Sequence, residues 1–195
     1  EALDKKKYQG RLVQCAQFLV DNQAKNGQWG YGPPLKSKDV PTAGGGSSVK
    51  IKRGGTGPEN GDNSNSQYAA LGLRACLQAG IKLPDETLTL AAGFWGRAQN
   101  ADGGWGYNGE GSVNDPSCGS MTAGAIASLC ILRAYTKGDP KKDESVKRGL
   151  EWMAANLTFA ENPKYLRPVL WKFYWIYAVE RVGMLYGADK IGAHA

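Results

Sequence analysis

The chain has 195 residues, with 24 Lys+Arg against 18 Asp+Glu for a net charge of +6, and 42% hydrophobic against 22% charged residues. That balance excludes a wholly disordered chain, and with no apolar run of 18 residues it excludes a membrane-spanning helix. The length suits one domain, 1–195, large enough to bury a core without disulfide or metal staples.

The elements follow in chain order. Tyr8, Leu12, Cys15/Ala16 and Leu19 recur at helical spacing and predict a first helix. Residues 33–60 are rich in Gly and Lys (Gly44 to Gly46, Lys50, Lys52, Gly54, Gly55, Gly57) and read as a flexible insertion. Within it Val49-Lys50-Ile51-Lys52 alternates as a strand would, predicting a short hairpin. Tyr68, Leu71, Ala75 and Cys76 predict a second helix that stops at Gly80. Pro84-Asp85-Glu86 opens a third, with proline in the first turn and acids at the positive end of the dipole. Helices are predicted over 118–136, 143–157 and 166–186, the last ending at Gly187. The fold class is therefore all-α, with about six helices. The chain opens on Glu1 without a signal-like segment, as a trimmed or processed chain would, and no compartment is assigned.

The sequence repeats itself. Phe18-Leu19, Gln23, Gly27, Trp29, Gly30 and Tyr31 recur at the same spacing as Phe94-Trp95, Gln99, Gly103, Trp105, Gly106 and Tyr107. Downstream, Ser66, Ala69 and Cys76 align with Ser120, Ala123 and Cys130, which gives the first copy an insertion of 22 residues (37 from Trp29 to Ser66, 15 from Trp105 to Ser120). A third copy begins at Arg148-Gly149 and Trp152-Met153, but Leu157 replaces the glutamine and no Gly-x-Trp follows. Each copy reads as a helical hairpin. Gln23 and Gln99 sit in the last turn of a helix, where their amides can donate to orphan carbonyls. Gly27 and Gly103 permit the reversal, and Trp29 and Trp105 anchor the loop. The unit is a structural clasp.

The Phe-Leu-x3-Gln-x3-Gly-x-Trp pattern resembles the QW repeat of squalene-hopene and oxidosqualene cyclases and, more widely, protein prenyltransferase β-subunits; the copies span about 8–187. The resemblance implies a partial α/α toroid of about three hairpins around an apolar cavity that takes isoprenoid chains. Three hairpins are half a toroid, so either a second half or a second copy would complete it. A fragment of a longer toroid is the expectation.

The family's chemistry is tested on this chain's residues. Cyclases of this type protonate an alkene with a DxDD motif; here Asp62-Asn63-Ser64-Asn65 keeps its first acid alone. Asp62 and Asp115, which precedes the next matching helix, are the candidate acids, and both read more simply as N-caps or turn formers. Prenyltransferases hold zinc with Asp, Cys and His, and the corresponding types are Asp115, Cys118 and His194; the Asp-x-x-Cys spacing is one residue too long, so no metal is expected. No motif calls for a cofactor. Cys15, Cys76, Cys118 and Cys130 form no CxxC pair and are expected as reduced thiols. The scattered basic residues read as solvated surface, so no nucleic-acid partner is expected, while Lys50, Lys52 and Arg53 offer a diphosphate or peripheral membrane contact. Trp171, Tyr174 and Trp175 share a helix face and are the candidate ligand wall. The resulting expectation is a cyclase-like repeat domain, non-catalytic by itself, that binds an apolar isoprenoid-like ligand or a protein partner. Two alternatives are an enzyme whose catalytic groups lie in a missing half, and a structural scaffold.

Overall fold

The computed structural model describes residues 5–32, 49–108, 115–187 and 190–192. Six helices lie among them: α1 (Lys5–Asp21), α2 (Asn63–Gln78), α3 (Asp85–Arg97), α4 (Gly119–Tyr135), α5 (Glu144–Asn156) and α6 (Lys172–Tyr186). The protein is all-α. Helix α4 is apolar around its whole circumference, which suits a helix covered on every side. It is buried from Gly119 through Leu132, and α2, α3, α5 and α6 all pack on it. Helix α1 packs on α2. The even-numbered helices thus form a row, α2–α4–α6, with α1, α3 and α5 laid against it.

The helix starts follow local chemistry. Asp62 caps α2, its carboxylate accepting the Asn65 N–H, and Asp143 caps α5, accepting from Ser145 and Val146. Pro84 precedes α3, whose first turn holds Asp85 and Glu86. Helix α6 begins six residues later than its spacing predicts. Pro168 disfavours the helical conformation at Arg167, and the Asn162 N–H donates to the Pro168 carbonyl at 3.0 Å, holding a turn there instead.

The hairpins repeat in space, with a register two residues off the sequence alignment. The Asp62 N–H donates to the Trp29 carbonyl at 2.9 Å, and the Cys118 N–H to the Trp105 carbonyl at 3.0 Å. Asp62 and Cys118 have matching backbones, φ −137° with ψ 161° and φ −137° with ψ 160°. The Trp29 N–H donates to Ser66 and the Trp105 N–H to Thr122. Ser66 therefore answers to Thr122 rather than Ser120. Trp29 to Asp62 spans 33 residues and Trp105 to Cys118 spans 13, so the insertion is 20 residues, not 22. Any Ser or Thr at either offset satisfies a sequence match; the hydrogen bond to the indole-bearing residue selects one.

The insertion departs from expectation over residues 49–60, which form a packed strap. Ile51 is in the core, its N–H donating to Lys82 while the Lys82 N–H donates to Val49, both at 2.8 Å. This is a parallel bridge to the segment before α3 rather than a hairpin within the insertion. Gln17 donates to the Lys52 carbonyl and the Gly54 N–H to Asp21, which ties the strap to α1. The remainder of the insertion, 33–48, lies outside the described residues.

Candidate functional site

The repeated clasp works differently from its expected form. The orphan carbonyl of the preceding helix is taken by the indole: Trp29 Nε1 donates to Leu19 and Trp105 Nε1 to Trp95, each at 2.8 Å. The glutamine amide reaches forward. Gln23 Nε2 donates to the Gly27 carbonyl and to Thr87 in the first turn of α3; Gln99 Nε2 donates to Gly103 and to Ser145 in the first turn of α5. One side chain thus closes its own loop and grips the next hairpin. Gly27 (φ +107°) and Gly103 (φ +92°) are required twice over: the backbone is left-handed, and an added Cβ would lie 2.5 Å from the Leu90 carbonyl oxygen and 2.9 Å from that of Arg148. Phe94 is buried under the first clasp, whereas Phe18, its counterpart, is 44% exposed because no described hairpin precedes it.

The N-terminal ends of α2, α4 and α6 converge on a cavity of about 420 Å³. Its walls are aromatic: Tyr31 and Tyr107 from the two clasp loops, Tyr68 from α2, Tyr165 and Trp171 from the loop before α6, and Tyr174 from α6. Ser64, Asn65, Ser120 and Met121 complete the lining. Tyr68 meets Tyr174 edge-on at 5.8 Å between ring centroids and stacks on Tyr177 at 6.5 Å. The Tyr174 hydroxyl donates to Gln67 Oε1 at 2.7 Å. Burial pushes the phenols of Tyr68, Tyr107 and Tyr174 up from their ordinary value, so these three stay uncharged at neutral pH.

Of the candidate ligand wall, Trp171 and Tyr174 line this cavity and Trp175 does not. Trp175 is 0% exposed, and its Nε1 donates to the Thr158 carbonyl at 2.7 Å. It is an anchor of the third hairpin. Position 175 falls one helical step beyond 174, enough to turn it into the core.

Both candidate acids make local hydrogen bonds that shape the backbone. Asp62 accepts from the Asn65 N–H at 2.9 Å, from Ser64 at 2.6 Å and from the Asn65 amide at 2.7 Å, the full complement of an N-cap. Asp115 closes the second loop, accepting the Asn108 N–H at 2.6 Å. It lies three residues before Cys118, the true counterpart of Asp62, so the two acids do not share a position. Cys118 is buried, and burial pushes its thiol up to about 11, which keeps it protonated at neutral pH. Among the described residues no group of three His, Cys, Asp or Glu side chains could hold a metal ion; His194 lies outside them. All four cysteines are free thiols.

Arg53 is already engaged. It donates to Gln23 Oε1 at 2.5 Å and Thr87 at 3.0 Å, and pairs with Glu86 at 3.0 Å. The groove of about 910 Å³ along the strap is lined by Lys50, Lys52, Arg53 and Lys82 together with Asp85 and Glu86. Sequence reasoning missed Tyr31, Tyr68, Tyr107 and Tyr165 as wall residues. A signal existed for two of them, since Trp-Gly-Tyr ends both clasps.

No protein-family profile matches the chain, and no curated protein sequence matches it. No described helix is long and apolar enough to cross a membrane.

Proposed function

We propose that this chain is a squalene-cyclase- or prenyltransferase-like repeat domain that holds an apolar, isoprenoid-like ligand in the aromatic cavity and does not catalyse by itself. The observation that carries the reading is the cavity wall: six aromatic rings converge on about 420 Å³ with no charged side chain among the lining residues. That volume falls within the range of small-molecule sites, about 300–1,000 Å³. A hydrocarbon offers no hydrogen bonds, so its binding rests on apolar area removed from water, and an aromatic wall supplies that area. The two acids nearest the family's protonation chemistry serve as a helix cap and a loop closure, which supports a binding role over proton donation.

Titration of the purified chain with farnesol, followed by native mass spectrometry and Trp fluorescence, tests the reading. A one-to-one adduct is expected, with affinity falling roughly tenfold in Trp171→Ala, the size of a partly buried aromatic contact. No adduct with farnesol or squalene would favour a scaffold. Conversion of squalene to a cyclised product would overturn the non-catalytic reading.

A further inference from the structure

The first hairpin brings two thiols together. Leu19 of α1 lies over α2, its Cδ1 3.0 Å from where a Cβ on Gly72 would be. Nearer the start of α1, the Leu12 carbonyl takes the S–H of Cys76 at 3.8 Å. As α1 is followed backwards α2 runs forwards, so the two helices are antiparallel. Cys15 stands four residues before Leu19, and Cys76 four residues after Gly72. One helical turn along each helix therefore sets Cys15 opposite Cys76. A disulfide needs Cα atoms about 4.4–6.8 Å apart, and Gly72, bare of a side chain, lets the two backbones approach.

The two thiols differ in access. Cys15 alone of the four cysteines is exposed, whereas Cys76 is buried. Burial, and then the neighbouring Cys15, push the Cys76 thiol up to about 11. Cys118 and Cys130, at the start and in the body of α4, are buried as well. The second hairpin holds no such pair, since Ala91 stands in α3 where Cys15 stands in α1. An exposed thiol beside a buried one is the arrangement in which the first meets an outside disulfide and the second resolves the product.

We propose that Cys15 and Cys76 form a disulfide by exchange with a small disulfide such as oxidised glutathione, clamping α1 to α2. The Cys15 thiolate attacks one sulfur of oxidised glutathione and expels one glutathione thiolate, leaving a mixed disulfide. The Cys76 thiolate then attacks Cys15 Sγ and expels the second glutathione. Two protein thiols lose two electrons, oxidised glutathione gains them, and the two protons pass to the released glutathione. The closed loop of about 60 residues holds the first clasp and the strap. The clamp also fastens to α1 the helix that carries Ser64, Asn65 and Tyr68 of the cavity wall. No ligand enters this inference, so it stands apart from the proposed function.

Incubation of the whole chain with oxidised and reduced glutathione, then alkylation of the unfolded product with N-ethylmaleimide and intact mass measurement, tests the pair. Two adducts, on Cys118 and Cys130, and a peptide joining Cys15 to Cys76 are expected, where the reduced chain takes one adduct on each of its four cysteines. The oxidised chain is expected to melt roughly 6–12 °C higher, with dithiothreitol reversing the shift. Closure requires the Cys76 thiolate, so the glutathione adduct on Cys15 is expected to resolve roughly tenfold faster at pH 8 than at pH 7. Cys15→Ala, at an exposed position, is expected to take adducts on its three remaining cysteines and to show no melting shift. Cys76→Ala is expected to stop at the glutathione adduct on Cys15. Alkylation of all four cysteines after oxidation overturns the proposal, as does a glutathione adduct on Cys15 that persists in the unaltered chain. A disulfide joining two chains through Cys15, or a Cys15–Cys76 disulfide that lowers the melting temperature, overturns it equally.

Discussion

The two complete clasps share an amide and an indole but are locked by arginines of different origin. In the second, Arg148 on α5 donates to Gln99 Oε1 at 3.3 Å and to the Asn100 and Ala101 carbonyls. The position equivalent to Arg148 in the first clasp is Leu90, as the contacts of Gly27 and Gly103 show. There the guanidinium comes from Arg53 on the strap. Arg97 of α3 donates to the Asn26 carbonyl of that loop, but the partner of the glutamine oxygen comes from the insertion, which seals the junction it crosses: Gln23 is fully buried, Gln99 half-buried. What reads in sequence as a Gly-rich loop interrupting a repeat is, over residues 49–60, the part that completes it.

The largest contrast lies in the indoles. Trp105 is fully buried, and its ring sits 2.8 Å from where a Cβ on Gly149 of α5 would be, so it serves two hairpins. Trp29 borders an open cleft beside Phe18. Trp105→Ala is expected to cost about 5 kcal/mol and Trp29→Ala about 3 kcal/mol, read by chemical denaturation. Equal losses would show that the two ends of the repeat are equally packed.

The arginine exchange sharpens the comparison further. Arg53→Ala leaves the buried Gln23 Oε1 without its partner and is expected to cost about 2 kcal/mol, against about 1 kcal/mol for Arg148→Ala, where water reaches the freed groups. Adding Leu90→Arg to Arg53→Ala is expected to restore at least half the loss, since it recreates the second clasp's arrangement in the first. No recovery would mean the strap acts through Ile51 and its bridge rather than through the guanidinium.

The smallest effect is a dependence on pH confined to one junction. In the second clasp Asp102 accepts from Gly104 N–H, Ser117 and Trp152 Nε1. Burial works against its charge, but the hydrogen bonds from Ser117, the Gly104 N–H and Trp152 outweigh that and hold the carboxyl below its ordinary value of 3.8. A carboxyl lowered by folding contributes stability above its unfolded pKa and loses it as the pH falls through the folded value. The first clasp has Asn26 in this place, accepting the Gln28 N–H without charge. Below about pH 4, amide exchange in α5 is expected to accelerate before that in α3. Asp102→Asn should abolish this difference while changing neutral-pH stability by less than about 1 kcal/mol, Asp102 being solvent-exposed. Simultaneous loosening of α3 and α5 would count against the assignment.

Much of the fold was legible because helices are local. The apolar spacing through Tyr8 and Leu19, the proline and acids at 84–86 and the repeated Gln-x3-Gly-x-Trp each act within a few residues, where periodicity and capping chemistry suffice. The register of the repeat was not, since two serines and a threonine offer the same hydroxyl at competing offsets. The cavity was legible only in part. Trp171 and Tyr174 sit one helical turn apart, but Tyr31, Tyr68, Tyr107 and Tyr165 come from separate loops and helices. Trp175 looked like their companion because a face shared on a helical wheel says nothing of which neighbour that face meets.

By itself the amino-acid sequence determined the all-α class, the helix boundaries to within a few residues except at α6, and the existence of a clasp used twice. Periodicity, caps and glycine backbone freedom are properties of short stretches, and they act before distant parts of the chain meet. The tertiary structure alone decided that the indole rather than the glutamine satisfies the helix end, that Arg53 substitutes for an arginine missing 37 residues downstream, and that aromatic rings spread over 144 positions share one cavity. Those outcomes depend on which groups are brought within hydrogen-bond or van der Waals reach, and a one-dimensional pattern carries no such distance.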